Sequence, residues 1–147
     1  MKTIYILMLT LAVALFSACS PEEVVNTSEQ NLHVLAVLAQ TPGCLSSIKM
    51  PESTVEHADL LARAGIAVTG NPISSVRFFM NRTYVAVPAD GKIYVLSDTN
   101  YSKLAEIDFS QTGDSPVDIC FPNSTSGYVL CTGTNKVHVV DIYSDYQ

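Results

Sequence analysis

The chain repeats itself after 44 residues, and this repeat limits its folds more than any other feature of the sequence. Residues 72–96 and 116–140 align without a gap, each running from a proline through an apolar stretch and a turn to Tyr-Val, then to a lysine and β-branched residues. The aligned pairs are Pro72 with Pro116, Ile73 with Val117, Val76 with Cys120, Tyr84 with Tyr128, Val85 with Val129, Lys92 with Lys136, Ile93 with Val137, Val95 with Val139 and Leu96 with Val140. A repeat of this length indicates a supersecondary unit that buries its faces by stacking on its neighbours.

Each copy divides into short strands separated by turns. We predict strands at 73–79, 83–88, 92–97 and 103–109 in the first copy, and at 117–121, 127–132 and 136–142 in the second. Asp90-Gly91 is a typical hairpin turn, because both residues tolerate the positive φ that tight turns need. A repeated unit of four antiparallel strands and about 40–50 residues is typical of a β-propeller blade.

The predicted fold is therefore all-β, with residues 72–115 forming one propeller blade and residues 116–147 an incomplete one. Together they make a partial β-propeller of about one and a half to two four-stranded antiparallel blades. Because propellers have about four to eight blades, we expect the chain to be the N-terminal part of a longer protein. The alternative is a short structural protein that assembles blades from several chains.

Several stretches of the two copies resemble the repeats of YVTN-type β-propellers. Gly127-Tyr128-Val129-Leu130 and then residues 135–142 are similar to that family's Tyr-Val strand and its following Val-x-Val-Ile-Asp strand, and residues 92–98 are a looser copy. Gly113-Asp114-Ser115-Pro116 and Gly70-Asn71-Pro72 resemble the junctions between its blades.

This resemblance covers residues 65–147 and implies a non-enzymatic binding or interaction module. Proteins of this type include surface lipoproteins that capture nutrients, among them vitamin B12-binding propellers beside outer-membrane transporters. The resemblance thus implies a small-molecule nutrient or an outer-membrane transporter as partner. Because a fold does not determine a function, a propeller enzyme of the lyase or lactonase type, with its catalytic residues in a missing part, is the alternative.

Residues 32–71 form a lead-in segment that can be part of a preceding blade. The apolar run at 32–39 fits a strand or a helix, since a short apolar run does not decide between them. Ser53-Thr54-Val55-Glu56 has the form of a capping box, and we expect a short helix or turn over 58–64 with Gly65 as its stop. We then expect a strand at 65–69. The alternative is the outer strand of a preceding blade over 59–69, one 44-residue step before 103–113.

The first eighteen residues are predicted to be a lipoprotein signal peptide. Lys2 is followed by an apolar run, Ile4 to Phe16, which is shorter than the roughly 20 residues that span a bilayer. Leu15-Phe16-Ser17-Ala18-Cys19 resembles a bacterial lipobox, which implies that Cys19 becomes the lipidated N-terminus. The alternatives are ordinary cleavage with Cys19 incidental, and retention as a transmembrane anchor.

Residues 19–31 are polar and are expected to be a flexible tether behind the lipidated cysteine. The acidic pair Glu22-Glu23 resembles the surface-export signal of lipoproteins from Bacteroidetes-type bacteria. We therefore expect a lipid-anchored protein of the bacterial cell envelope, in the outer membrane and on either its periplasmic or its outer side.

Charge and composition argue against several functions. Without Lys2, seven basic residues face fourteen acidic ones, and the cations are scattered singly, so no basic face for nucleic acid is predicted. We expect no cofactor and no metal site, because the three histidines, His33, His57 and His138, have no metal-binding spacing. With Cys19 lipidated, three cysteines remain, Cys44, Cys120 and Cys131, an odd number that does not indicate a disulfide framework.

The predicted inner strands offer Arg77 and Asp118 as polar side chains for the central channel. Neither completes a nucleophile, base and acid arrangement, so no catalytic residue is assigned. Four strand or turn tyrosines could stack on a planar ligand or pack in the core: Tyr84, Tyr94, Tyr101 and Tyr128. The ligand-binding residues therefore stay unassigned, and the only assigned site is the lipidation site at Cys19.

Overall fold

The structure is a computed structural model that describes residues 32–38, 43–68, 73–142 and 146. These residues form ten strands in three antiparallel sheets, with one short α-helix and one short 3-10 helix. The prediction of an all-β fold is confirmed. Among the described strands no sheet closes on itself.

The N-terminal sheet contains β1 (Leu32–Leu38), β2 (Cys44–Met50) and β3 (Thr54–His57), in that order. It is followed by α1 (Leu60–Arg63), whose first turn is capped by Asp59. The carboxylate of Asp59 accepts hydrogen bonds from the backbone N–H groups of Leu61 and Ala62, at 3.0 and 3.1 Å. An aspartate at this position satisfies N–H groups that have no partner within the helix.

Two predictions for this segment are wrong. Ser53 does not cap a helix, because it lies in a turn and residues 54–56 of the expected capping box belong to β3, where Val55 pairs with Ile48. Residues 65–68 contain no strand, and residue 69 lies outside the described residues. The expected helix is shorter than predicted, but Gly65 follows it with φ +73°, as expected of a helix stop.

The central sheet contains β4 (Ser75–Phe79), β5 (Arg82–Val87), β6 (Lys92–Ser97) and β7 (Lys103–Asp108), paired in chain order. The four predicted strands are therefore found, and β6 has the predicted bounds. The turn between β5 and β6 is the 3-10 helix Pro88–Asp90, closed by Gly91 at φ +65°.

The C-terminal sheet contains β8 (Pro116–Cys120), β9 (Ser126–Cys131) and β10 (Lys136–Asp141). Its order is β10-β9-β8, so β10 lies at an edge among the described strands. β8 and β9 begin and end one residue before the predicted bounds, and β10 ends one residue before its predicted end.

Corresponding strands of the central and C-terminal sheets pair in the same register. Arg82 lies opposite Ser97, and 44 residues later Ser126 lies opposite Asp141; the other five pairs of β5 with β6 likewise match those of β9 with β10. The first strands pair differently by one residue: Val85 lies opposite Val76, but Val129, 44 residues after Val85, lies opposite Ile119 and not Cys120.

Two apolar cores lie on opposite faces of the central sheet. One face packs against the C-terminal sheet, and the other packs against the N-terminal sheet and α1. The first core includes Tyr84, Ala86, Ile93 and Val95 from the central sheet and Ile119, Val129, Cys131 and Val140 from the C-terminal sheet. The second includes Val85, Val87, Tyr94 and Leu96 from the central sheet and Leu45, Leu60, Leu61 and Ile66 from the N-terminal part.

Candidate interaction site

The second face of the C-terminal sheet is apolar and exposed. Its residues, here called the outer face, are Tyr128, Leu130, Val137 and Val139, which are 40, 49, 61 and 64% exposed. Tyr128 lies opposite Val139 and Leu130 lies opposite Val137, so the four form two adjacent cross-strand pairs. Contiguous exposed apolar residues of this kind mark interaction surfaces more often than isolated ones do.

The corresponding face of the central sheet is fully covered. Tyr84, Ala86, Ile93 and Val95 stand 44 residues before the four outer-face residues, and each is 0% exposed. They are buried under the C-terminal sheet. The same position on the same kind of strand pair is therefore a buried contact in one sheet and an open surface in the next.

Arg77 and Asp118 come together where β4 lies next to β8. Arg77 Nε donates to Asp118 Oδ1 at 2.9 Å, and Arg77 Nη2 donates to Asp118 Oδ2 at 2.7 Å. Burial raises the pKa of Asp118, but hydrogen bonds, the strongest of them from Arg77, outweigh burial, so that its pKa is lowered. The two candidate channel residues are thus each other's partners. Their side chains are 51 and 35% exposed, which keeps the pair open to solvent.

Three of the four candidate tyrosines are core residues. Tyr84, Tyr94 and Tyr101 are buried, and burial raises the pKa of Tyr94 to about 12. Only Tyr128 among the four is exposed, and it belongs to the outer face. Packing therefore accounts for the first three, and Tyr128 is the one available to a partner.

Sequence reasoning missed the buried carboxylate of Asp114. Its side chain is 0% exposed and accepts hydrogen bonds from Thr112 Oγ1 at 2.8 Å and from Thr134 Oγ1, and its Oδ2 lies 2.9 Å from His138 Nε2. The hydrogen bonds from Thr134 and then Thr112 hold the pKa of Asp114 below its usual value. Asp114 thereby ties the loop before β8 to the turn before β10.

Gly133 is the sequence signal that could have pointed to this network. A Cβ added there would collide with the carbonyl oxygen of Gly113, the residue before Asp114. The turn between β9 and β10 can therefore approach the buried carboxylate only with glycine at this position.

A cleft of about 380 Å³, here called the edge cleft, separates β7 from β10. It is lined by Glu106, Ile107, Asp108, Phe109, Thr112, His138, Val139, Val140 and Tyr146. The ring of His138 lies 5.0 Å from that of Phe109, measured between centroids. The cleft is therefore a mixed apolar and polar space beside the edge of β10 that no other described strand pairs with.

The remaining candidate residues lie apart from these features. Cys19 and the side chain of His33 lie outside the described part of the structure. His57 packs edge-on against Tyr101, with ring centroids 6.0 Å apart. Within the described residues, no three His, Cys, Asp or Glu side chains are grouped to hold a metal ion.

The three described cysteines form no disulfide bond, and each thiol has a different environment. Cys44 is buried and its Sγ donates to the carbonyl oxygen of Ala58 at 2.8 Å. Cys131 is buried in the core between the two sheets, and this burial raises the pKa of its thiol to about 11. Cys120 is exposed.

No protein-family model and no curated protein matches this chain. In the described part of the chain, the helices are too short to cross a membrane.

Proposed function

We propose that this chain is a non-enzymatic binding or interaction module of the bacterial cell envelope, built on YVTN-like propeller repeats and anchored through a lipid on Cys19. The binding part of this proposal rests on the described sheets. The anchoring part rests on the lipobox-like sequence before Cys19 and on the polar tether behind it.

One observation carries the proposal: the outer face is an open copy of a surface that is buried elsewhere in the same chain. Val95 is 0% exposed beneath the C-terminal sheet, whereas Val139, 44 residues later, is 64% exposed. Covering an exposed valine of this kind contributes about 1–2 kcal/mol. Covering this surface with another sheet would therefore be favourable, as expected of a surface that binds a partner.

The shared register of β5 with β6 and of β9 with β10 supports the repeat on which the proposal depends. Neighbouring sheets that stack through apolar faces are also what propeller blades require. The salt bridge between Arg77 and Asp118 joins the first strands of the two sheets, where a central channel would run.

Two measurements test the proposal. Metabolic labelling with a clickable fatty acid should label the wild-type protein in a bacterial host and should not label the Cys19→Ser variant. Equal labelling of both proteins, or of neither, would contradict the anchor.

Photo-cross-linking in intact cells of the native host tests the interaction surface. A photoreactive amino acid in place of Val139 should give a discrete adduct, and the same group at the exposed loop residue Asn123 should not. The interaction function would be refuted by the absence of an adduct from position 139, or by the same adducts from both positions.

A further inference from the structure

We infer that the edge of β10 and the adjoining edge cleft accept one extended, acidic segment of a partner polypeptide as a fourth strand of the C-terminal sheet. This inference rests on the interaction function proposed above and names the kind of partner. It concerns the edge of the sheet, which is distinct from the outer face.

The central sheet supplies a template for this fourth strand. There β7 pairs antiparallel with β6, with Asp108 opposite Lys92, Ile107 opposite Ile93 and Glu106 opposite Tyr94. The strand that corresponds to β6 is β10, residue for residue, and among the described strands it pairs only with β9. An unpaired edge presents backbone N–H and C=O groups to which an extended segment can add by hydrogen bonding.

The space beside β10 can hold such a segment. The edge cleft has a volume of about 380 Å³ and lies between β10 and the outermost strand of the central sheet. In the central sheet, Ile93 lies opposite Ile107 and Val95 lies opposite Ala105. The corresponding residues of β10 are Val137 and Val139, and both are exposed. Apolar residues at alternate positions of the segment would therefore extend the outer face.

Charge determines what the other alternate positions should carry. In the central sheet, Lys92 Nζ lies 2.8 Å from Glu106 Oε1 and 3.1 Å from Asp108 Oδ2. Lys136 takes the place of Lys92 in the C-terminal sheet, and it has no ion-pair partner among the described residues.

Two acidic residues two positions apart on an added strand would provide that partner. Glu106 and Asp108 line the edge cleft too, but they do not pair with Lys136, because both already form ion pairs with Lys92. Opposite charges across neighbouring strands are favourable pairs. The occupant therefore combines alternating apolar residues with acidic ones, which is the pattern of β7 itself.

The test uses the full chain in a mild non-ionic detergent and a fluorescent peptide with the sequence of residues 102–110, which contains β7. Fluorescence anisotropy should show saturable 1:1 binding. A peptide with Gln and Asn in place of the residues corresponding to Glu106 and Asp108 should bind about fivefold more weakly. In the protein, Lys136→Gln should weaken binding of the acidic peptide by a similar factor and should leave binding of the neutral peptide unchanged.

The matched control is Lys49→Gln, which removes a lysine from β2 and should leave binding of the acidic peptide unchanged. Hydrogen exchange provides a second readout that needs no variant: the peptide should slow exchange of the β10 amides of the wild-type chain. The inference is overturned if the peptide does not bind, if binding is insensitive to both charge changes, or if sedimentation shows chains that dimerise through β10 and exclude the peptide.

The peptide test and the cross-linking test can fail independently of each other. Val139 lines both the outer face and the edge cleft, so the distinguishing cross-link is placed at Leu130, an outer-face residue of β9 that does not line the edge cleft. An adduct from Leu130 with no peptide binding would refute the fourth strand alone, and peptide binding with no adduct from Leu130 would refute the outer face alone.

Discussion

Two valines at corresponding positions of the repeat should differ sharply in their contribution to stability. Val95 on β6 is 0% exposed in the core between the central and C-terminal sheets, and Val139 on β10 is 64% exposed on the outer face. Replacing each by alanine makes the same chemical change at the same place in two equivalent strand pairs. The comparison therefore isolates the effect of the covering sheet.

The magnitude follows from burial. Val→Ala removes two carbons, worth about 1.6 kcal/mol at ~0.8 kcal/mol per buried CH₂, and the cavity left in a packed core adds to this cost. Val95→Ala should therefore lower the free energy of unfolding by about 2–3 kcal/mol. At Val139 only about a third of the side chain is covered, so the cost should be about 0.5 kcal/mol. The loss of strand preference from valine to alanine applies to both and does not affect the difference.

Urea unfolding followed by far-ultraviolet circular dichroism, with tyrosine fluorescence as a second probe, measures both costs. The chain has seven tyrosines and no tryptophan, so tyrosine provides the intrinsic signal. The two variants should differ in the urea concentration at the unfolding midpoint, and the slope of the free energy of unfolding against urea concentration should be the same for both. Equal costs for Val95→Ala and Val139→Ala would refute the reasoning, because the outer face would then be covered in the folded protein.

Further predictions concern ionisable groups. The pKa of Asp114 is lowered in the folded state. Its contribution to stability is therefore present above its unfolded pKa, about 3.9, and is lost as the pH falls through the folded pKa. The urea midpoint of Asp114→Asn should depend less on pH between 5 and 3 than that of the wild type, and an equal dependence would contradict this role. Iodoacetamide at pH 8 should modify the exposed Cys120 within minutes and Cys131 only after unfolding, as peptide mass spectrometry would show, and early modification of Cys131 would contradict its burial. Asp118→Asn should cost at most about 1 kcal/mol in urea unfolding, because its salt bridge with Arg77 is open to solvent, and a much larger loss would contradict that exposure.

The strands of the two repeat copies were predictable because local signals agree with the final fold. Gly91 directly precedes β6, and the β-branched residues Ile93 and Val95 alternate along it, so the start of β6 is visible in the sequence. The lysine and the alternating β-branched residues recur 44 residues later at Lys136, Val137 and Val139. Where turn residues and strand pattern agree, sequence reasoning found the elements to within a few residues.

The lead-in segment was predicted less well because distant contacts decide its structure. Ser53 and Glu56 have the spacing of a helix cap, but Val55 pairs with Ile48, and this pairing places residues 54–57 in a strand. The actual cap, Asp59, stands only six residues further along. Local helix signals of this strength contribute about 1 kcal/mol, which sheet pairing can exceed.

The candidate site was predictable only in part, for the same reason. Arg77 and Asp118 were recognised as first-strand residues, but their contact depends on how β4 lies beside β8. Asp114 was seen only as part of a blade junction, because its partners Thr134 and His138 follow at least twenty residues later. The exposure of the outer face could not be read from alternation, since the same alternation is buried in the central sheet.

If the sheets of this chain stack in series, a further repeat added to the chain should cover the outer face. The measurement appends a copy of residues 103–146 after Tyr146, in phase with the repeat, and determines the cost of Val139→Ala in the extended chain. This cost should rise from about 0.5 to about 2–3 kcal/mol, matching Val95→Ala, because the appended strands cover the outer face. A cost that stays near 0.5 kcal/mol, with appended amides that exchange hydrogen as fast as an unfolded peptide, would contradict it.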